Sequence, residues 1–557
     1  MLRISQIKLK PGESTDLLPA KVGKALRIKN FSPDSWKIVR ESVDARKKPD
    51  IYFVYTVDFE VKDQETLLKR AGAMKDVNLT LAPDNEYHIP ENLLPEGRRP
   101  VVAGLGPCGM FAALILAEAG ARPLVLERGR RVEERTRDVE KFWESGQLDT
   151  ESNVQFGEGG AGTFSDGKLT TGIKDPRIAK VNEEFILAGA DPSIAYSALP
   201  HIGTDVLRTV VKNIREKIIS LGGEIRFESK VTGLETESLP AGKVPETAAA
   251  SGEDRSSRLK AVIINDRERL DCRDLVLAPG NSARDTFRML SAAGVKMEAK
   301  PFSVGFRIEH PQQLINDSQY GPEANDSEGR LGAAAYKLSF RSKGGRGVYT
   351  FCMCPGGRVV AAASEENTVV TNGMSYRARD GKNANSAILV DIRPEDCGPG
   401  PLDGIALQEQ LEAGAFGLGG GGYYAPVQKL EDFLKGQPSR PPAHGEKIPV
   451  EPTYRPGVTW TDLSGGIPDF AAEAMREALP AMAKKLKGFD MKDAVLTGVE
   501  TRSSCPVRIL RDRESLQSLS TEGLYPGGEG AGYAGGIMSA AVDGIKLAEK
   551  ILSSVSK

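Results

Sequence analysis

Histidine, tryptophan and cysteine are scarce in this 557-residue chain, at four, three and six residues. So few histidines, with Cys352-x-Cys354 as the one close cysteine pair, do not supply the ligand pairs of a structural zinc site. No metal site is expected. Six cysteines over this length exclude a disulfide framework. No Cys-x-x-Cys or Cys-x4-Cys accompanies the glycine-rich motifs, which argues against a dithiol relay of the disulfide-reductase kind. Cys352 and Cys505 are read as packing residues first and as thiol sites second. An excess of charge of one sign is also missing. The 74 basic and 76 acidic residues leave a net charge of −2, which selects neither nucleic acid nor membrane as a partner. No run approaches the roughly 18 apolar residues of a membrane span. The N-terminus, MLRISQIKLKPGES, alternates like a strand and has no apolar secretory core, so the expected location is cytoplasmic.

What is present is glycine in patterned positions. Residues 101–129 read VVAGLGPCGMFAALILAEAGARPLVLERG. An apolar strand, Val101 to Ala103, meets Gly104-x-Gly106-x-x-Gly109, and a helix-like stretch and a second strand ending at Glu127 follow. In a dinucleotide fingerprint the first glycine permits the tight turn and the second admits the pyrophosphate. The third lets helix and strand pack closely. The helix start offers free N–H groups to phosphate, and Glu127 sits where a carboxylate holds the adenosine ribose. Pro107 and Cys108 lie inside the phosphate turn, where Cys108 is read as a small packing residue.

Residues 523–544, GLYPGGEGAGYAGGIMSAAVDG, resemble the C-terminal FAD motif of the flavoproteins with two dinucleotide-binding domains. The segments SNVQFGEGGAGTFSDGKL, KPFSVGFRIEH, YTFCMCPGG, VVTNGMSYRARDG, LTGVETRSSCPVRI and GEGAGYAGGIMSA together resemble the bacterial uncharacterised FAD-dependent dehydrogenase family. The likeness extends over nearly the whole chain. It implies one non-covalent FAD per subunit and a fold of the glutathione-reductase and aminoacetone-oxidase-like type, and it implies no substrate. It further implies that Glu529, beside Gly528, holds a ribitol hydroxyl. The helix starting at Gly535, Gly536 and Ile537 would point at the flavin N1/O2 edge. The strand Leu275 to Gly280 would place Ala278 and Gly280 beside the cofactor. The loop from Gly157 to Lys168, with Gly159, Gly160 and Thr163, would lie against pyrophosphate and flavin. Val231 would contact adenine through its backbone, and Arg128 belongs to the same expected set as Glu127.

The expected fold is α/β, in three units. Residues 1–95 form a small N-terminal α+β domain in β-α-β-β order, and Pro90 to Pro100 is a linker. Residues 96–300 and 495–557 form a discontinuous Rossmann-like FAD-binding domain, with a disordered insertion at 236–258. Residues 301–494 form an inserted, mainly antiparallel β substrate domain. Within these units a helix is expected over Gly203–Leu221 and another over Ile467–Leu486. Ile225–Val231 reads as a strand and Gly414–Gly422 as a flexible glycine tract.

Candidates for chemistry are fewer. Lys168 is either a cation near flavin N1/N5 or a surface lysine. Arg502 either binds an anionic group of the substrate or holds a domain interface. Arg307 and Glu309 share a strand face and are read as an ion pair, and His310 is read as structural ahead of a general acid. No second GxGxxG follows a strand, so there is no dedicated NAD(P)H domain. NAD(P)H would dock transiently, or another reductant serves. The leading reading is an FAD-dependent oxidoreductase acting on a small-molecule substrate, with hydride or electron-pair transfer at flavin N5. Two rivals stand beside it: an RNA-linked flavoprotein of the tRNA-modification kind, contacting nucleic acid through residues 1–95, and a protein with structural FAD. Oligomeric state is not legible.

Overall fold

A computed structural model describes residues 1–239, 256–321 and 329–554. The first unit is an antiparallel sheet in the spatial order Ser35–Lys47, Asp50–Glu60, Leu2–Leu9, Leu79–Leu81. Helices Leu18–Leu26 and Gln64–Gly72 accompany it, so the order is β-α-β-β-α-β, one helix and one strand beyond the expected pattern. Leu2, Ile4, Tyr55 and Phe59 on the strands close on Leu18 and Val22 of the first helix. Alternation of apolar residues along the strands explains this one-sided burial.

Five short strands form a parallel sheet in the order Leu524–Pro526, Leu275–Leu277, Val101–Ala103, Leu124–Leu126, Glu224–Arg226. The four strands from Val101, Leu124, Leu275 and Leu524 are buried and apolar almost throughout, as a sheet covered on both faces requires. Helix Pro107–Glu118 is buried from Cys108 to Ala117 and packs on helix Ile537–Leu552. The two helices touch backbone to backbone: a Cβ on Gly544 would stand 2.0 Å from the Cys108 carbonyl oxygen.

The largest sheet has seven strands: Ser339–Arg341, Gly347–Cys354, Asn383–Ile392, Phe302–Pro311, Val495–Glu500, Ala425–Lys429, Val458–Trp460. All neighbours are antiparallel except the last pair. Helix Asp469–Ala483 covers one face.

Several boundaries differ from expectation. Strand Val495–Glu500 pairs with Phe302–Pro311 and Ala425–Lys429. The chain therefore leaves the seven-stranded sheet after Glu500 rather than at 494. Part of the glycine tract is helical, because helix Asp403–Leu418 carries Gly414 and Gly417 while burying Leu411 and Ala415. The expected strand Ile225–Val231 is two strands, Glu224–Arg226 and one that opens at Val231. Of the expected insertion at 236–258, Thr236 to Ser238 pair with Leu259 to Ser257 as a ladder, and residues 240–255 lie outside the described residues. Helices Thr204–Ser220 and Asp469–Ala483 fall within the expected spans.

Candidate functional site

The turn after Val101–Ala103 shows three different uses of glycine. Gly104 has φ 95°, and a Cβ there would stand 2.2 Å from the Ala278 carbonyl oxygen. A Cβ on Gly109 would stand 1.9 Å from the Gly104 oxygen, so this glycine is required by packing and faces away from the cavity. Gly106 is different. A Cβ there would meet only the Gly160 Cα, at 3.8 Å, so no protein atom forbids a side chain.

Gly106 opens onto a cavity of about 520 Å³ between the parallel sheet and the seven-stranded sheet. Gly280, Gly535 and Gly536 line the same cavity, and a Cβ on any of them would meet nothing within 4 Å. Helices Pro107–Glu118 and Ile537–Leu552 both start at this cavity without a side-chain cap. The N–H groups of their first turns, beginning at Cys108 in the first helix because Pro107 has none, are therefore available to an anion. Room at the glycines and two uncapped helix starts fit a pyrophosphate-bearing dinucleotide.

Glu127 is buried and already engaged. Its Oε2 accepts from the Leu105 N–H at 2.7 Å, and its Oε1 accepts from Gly129 at 2.9 Å and Gly157 at 3.0 Å. It thus fastens the glycine turn to the glycine loop as well as lining the cavity. Arg128 lies over the Phe156 ring at 3.8 Å and pairs with Glu151 and Asp285. Pro107, Cys108, Gly160, Val231, Ala278, Gly528, Glu529 and Ile537 also line the cavity. Burial pushes the Glu529 carboxyl up to about 7, opposed by the charge of Lys300 and by Asn281, which donates to Oε1 at 3.0 Å. Burial likewise pushes the Cys108 thiol up, in keeping with a packing role.

Two expected contacts lie elsewhere. Gly159 and Thr163 are behind the cavity wall. A Cβ on Gly159 would stand 2.1 Å from Thr163 Oγ1, and Thr163 gives its carbonyl to the Thr204 hydroxyl at 2.8 Å. Both shape the loop and do not face the cavity.

On the side of the seven-stranded sheet the cavity meets Lys168, Cys352, Asn372, Glu500 and Arg502. The Lys168 ammonium stands 3.2 Å from Asp166 Oδ2, 3.6 Å from Cys354 Sγ and 3.9 Å from Cys352 Sγ. Burial works against its charge, but negative charge on the Cys352/Cys354 pair and on Asp166 outweighs burial and holds the pKa above its ordinary value. Asp166 is buried, which opposes its charge. Lys168 and Arg379, the latter at 2.6 Å, outweigh this and hold the carboxyl below its usual range.

Arg307 does not pair with Glu309. Its guanidinium reaches Glu500 Oε2 at 2.5 Å, Asn385 Oδ1 at 2.9 Å, the Cys352 carbonyl at 3.0 Å and Asn372 Oδ1 at 3.1 Å. Burial pushes the Glu500 carboxyl up to about 7 against the pull of Arg307. Glu309 instead accepts from Thr453 and Asn383. His310 is fully buried and stacked on Phe489 at 4.9 Å, with Nε2 2.7 Å from the Phe489 carbonyl. Burial lowers its pKa to about 4, so it is structural.

Arg502 lines the cavity, but its guanidinium is committed elsewhere. It contacts Glu412 at 2.7 and 3.0 Å, Ser364 at 2.5 Å and Glu365 at 3.2 Å. Arg284 pairs with the same two carboxylates. These contacts tie Arg502 to the interface, and a substrate anion would have to compete with Glu412.

Residues the sequence did not mark hold the site from behind. Arg135, fully buried, donates to the carbonyls of Asn153, Val154, Glu158 and Gly160. Asp543 accepts from the Gly528 N–H at 2.8 Å and pairs with Arg511 at 2.7 Å. A charged residue within the helical segment VEERTRDVE carries no local mark of such a role. The Cys-x-Cys spacing was the one available signal for the thiol pair.

Fold and cavity together fit a dinucleotide-binding protein, and sequence comparison gives the family. Residues 301–503 match the family described as FAD-dependent protein, C-terminal domain-like, and residues 1–60 match a domain of unknown function (DUF8436). An uncharacterized protein of Clostridium beijerinckii is 48% identical over 554 residues, covering 99% of this chain and 98% of that one. The chain belongs to this uncharacterised FAD-dependent protein family, and FAD is its cofactor. Among solved structures, a mutant of the halogenase PltM in complex with FAD aligns at TM-score 0.36 and 10% identity, over 82% of this chain and 69% of that one. The anhydrotetracycline hydroxylase OxyS of Streptomyces rimosus aligns at 0.30 and 13%, over 82% and 61%. No described helix is long and apolar enough to cross a membrane.

Proposed function

We propose that the protein is an FAD-dependent oxidoreductase that exchanges an electron pair with a small organic substrate held against the seven-stranded sheet. One observation carries this reading: a single cavity joins the phosphate turn at Gly104–Cys108 to the titratable groups Lys168, Cys352 and Glu500. Bound FAD supplies hydride or electron-pair chemistry at N5. The chain supplies position and charge. Residues 96–300 with the C-terminal segment form the Rossmann-like FAD half, and the sheet after residue 301 forms the substrate half. The Lys168 ammonium and the uncapped helix start at Gly536 favour negative charge in the cavity. Glu500, with its carboxyl near 7, takes a proton from the substrate as the electron pair leaves.

The test is anaerobic mixing of the purified yellow protein with NADH, NADPH and a panel of metabolites, followed at the visible flavin band. Acid extraction should release FAD and not FMN, and at least one organic reductant should bleach the band faster than it bleaches free FAD. A flavin that only dithionite reduces would contradict the proposal and leave FAD as a structural group.

A further inference from the structure

Cys352 and Cys354 stand out among the groups that FAD binding does not use. Cys352 lines the cavity, and Cys354 is fully buried behind it. One ammonium, Lys168 Nζ, contacts both sulfurs, and the Cys354 thiol donates to the Cys352 carbonyl at 3.2 Å. Residues two apart on a strand have Cα atoms roughly 6.6 Å apart, at the upper edge of the roughly 4.4–6.8 Å that a disulfide spans. This segment is also not a flat strand. Cys352 has φ 46°, and the register against Asn383–Ile392 shifts between Phe351 and Cys354. The ladder therefore does not lock the two side chains in place.

From this geometry we infer that Cys352 and Cys354 are a redox-active dithiol that exchanges an electron pair with FAD and cycles through an intramolecular Cys352–Cys354 disulfide. The inference rests on the oxidoreductase reading and gives that site an electron relay made of thiols. It also revises the expectation drawn from the absence of Cys-x-x-Cys, since the spacing that matters here is Cys-x-Cys on a bulged strand.

The chemistry balances without a further reagent. Of the two thiols, Cys352 is the one favoured to lose its proton. The side-chain interaction between the two thiols lowers its pKa most, burial opposes this, and Lys168 and Arg307 add to the lowering. Cys354 is the one favoured to keep its proton: the side-chain interaction with Cys352 raises its pKa, and burial raises it further. Oxidation forms the S–S bond and breaks the Cys354 S–H bond. The electron pair and that one proton pass to FAD, which leaves the reduced flavin with one negative charge beside Lys168. The reverse step reduces the disulfide. A thiolate facing the cavity, with a protonated partner behind it, is the arrangement in which an external thiol or disulfide would react first at Cys352. The substrate class is accordingly a small thiol or disulfide.

The experiment is an anaerobic dithionite titration of FAD-loaded protein, first oxidised with diamide and desalted, comparing wild type with Cys352→Ser and Cys354→Ser. Wild type should take up about four electrons per FAD, and each variant about two, because a dithiol–disulfide couple carries two. A second readout does not depend on flavin activity. In the oxidised wild type, alkylation under denaturing conditions should leave the peptide containing both cysteines unmodified and lighter by two hydrogens, while Cys108, Cys272, Cys397 and Cys505 are alkylated. In the reduced protein, Lys168→Met should shift the pH dependence of Cys352 alkylation upward. Uptake of only two electrons by wild type, with both cysteines alkylated after oxidation, would overturn the dithiol and leave the oxidoreductase reading intact. A disulfide that forms beside a flavin no organic reductant reduces would overturn the oxidoreductase reading instead. If the serine variants lose FAD, the alkylation pattern of wild type still decides.

Discussion

Gly106 and Glu500 allow the most direct residue-level tests. Because no protein atom crowds a side chain at Gly106, Gly106→Val should fold with little change in melting temperature while losing most of its FAD. At Gly109 a Cβ would strike the Gly104 carbonyl, so Gly109→Val should fail in folding and flavin content together. Flavin absorbance per protein after gel filtration, with thermal melts, separates the two. A Gly106→Val protein as yellow as wild type would remove the pyrophosphate from this turn. For Glu500 the expectation concerns pH. A base must be deprotonated to act, and the carboxyl lies at about 7. The rate of flavin reduction by substrate should therefore rise as pH increases through about 7, and Glu500→Gln should lose that limb. A pH profile unchanged by the substitution would remove Glu500 from proton transfer.

At the scale of elements, the carbonyls of the loop over residues 153–160 converge on one side chain, while Glu127 holds the Gly157 N–H. Arg135, on helix Val132–Ser145, satisfies four loop carbonyls from a fully buried position. Hydrogen bonds to a charged group contribute about 1.5–3 kcal/mol each and are not additive. Arg135→Met should cost on the order of 3 kcal/mol and reduce FAD retention, as read by denaturant unfolding and flavin content. Unchanged stability would mean that the loop holds itself. This element also shows what the sequence could and could not reveal. The turn at Gly104–Gly109 and the helix start at Gly535–Gly536 were legible because each depends on neighbours within a few positions. Arg135, the Arg511–Asp543 pair and the Lys168 contact with Cys352 were not. Their partners come from other segments, 184 residues away for Lys168 and Cys352, and no local spacing records such a contact. The glycines at 414 and 417 were misleading for the converse reason: burial of Leu411 and Ala415 on the same helix overrides their low helix propensity.

At the scale of the molecule, the two large sheets are joined by a buried ion cluster. Arg284 follows the parallel sheet, Arg502 follows the seven-stranded sheet, and both converge on Glu412 at 2.7 Å. Removing the shared carboxylate leaves two buried cations with only the part-exposed Glu365 between them, so Glu412→Ala should cost about 3–5 kcal/mol. The Glu412 carboxyl is lowered from 4.5 to about 2, because the two arginines outweigh its burial. Its stabilisation is therefore whole above about 4.5 and fades as pH falls toward 2. In chemical denaturation from pH 6 to pH 3, the gap between wild type and the variant should narrow toward the acid end. A gap that is constant with pH would place the cluster outside the interface energetics. Glu309, Glu500 and Glu529, all raised by burial, act in the opposite sense and do not contribute to that acid loss.

The central claim is that the flavin ring lies between the glycine loop and the seven-stranded sheet, against Lys168 and Cys352. A crystal structure of the yellow, FAD-loaded protein tests it most directly. Pyrophosphate density is expected at the N–H groups of Cys108 and Gly109, the ribose beside Glu127, and the isoalloxazine ring edge within contact of Lys168, Cys352 and the helix start at Gly536. A ring lodged away from the seven-stranded sheet, or sealed from Lys168 and Cys352 by intervening side chains, would contradict it.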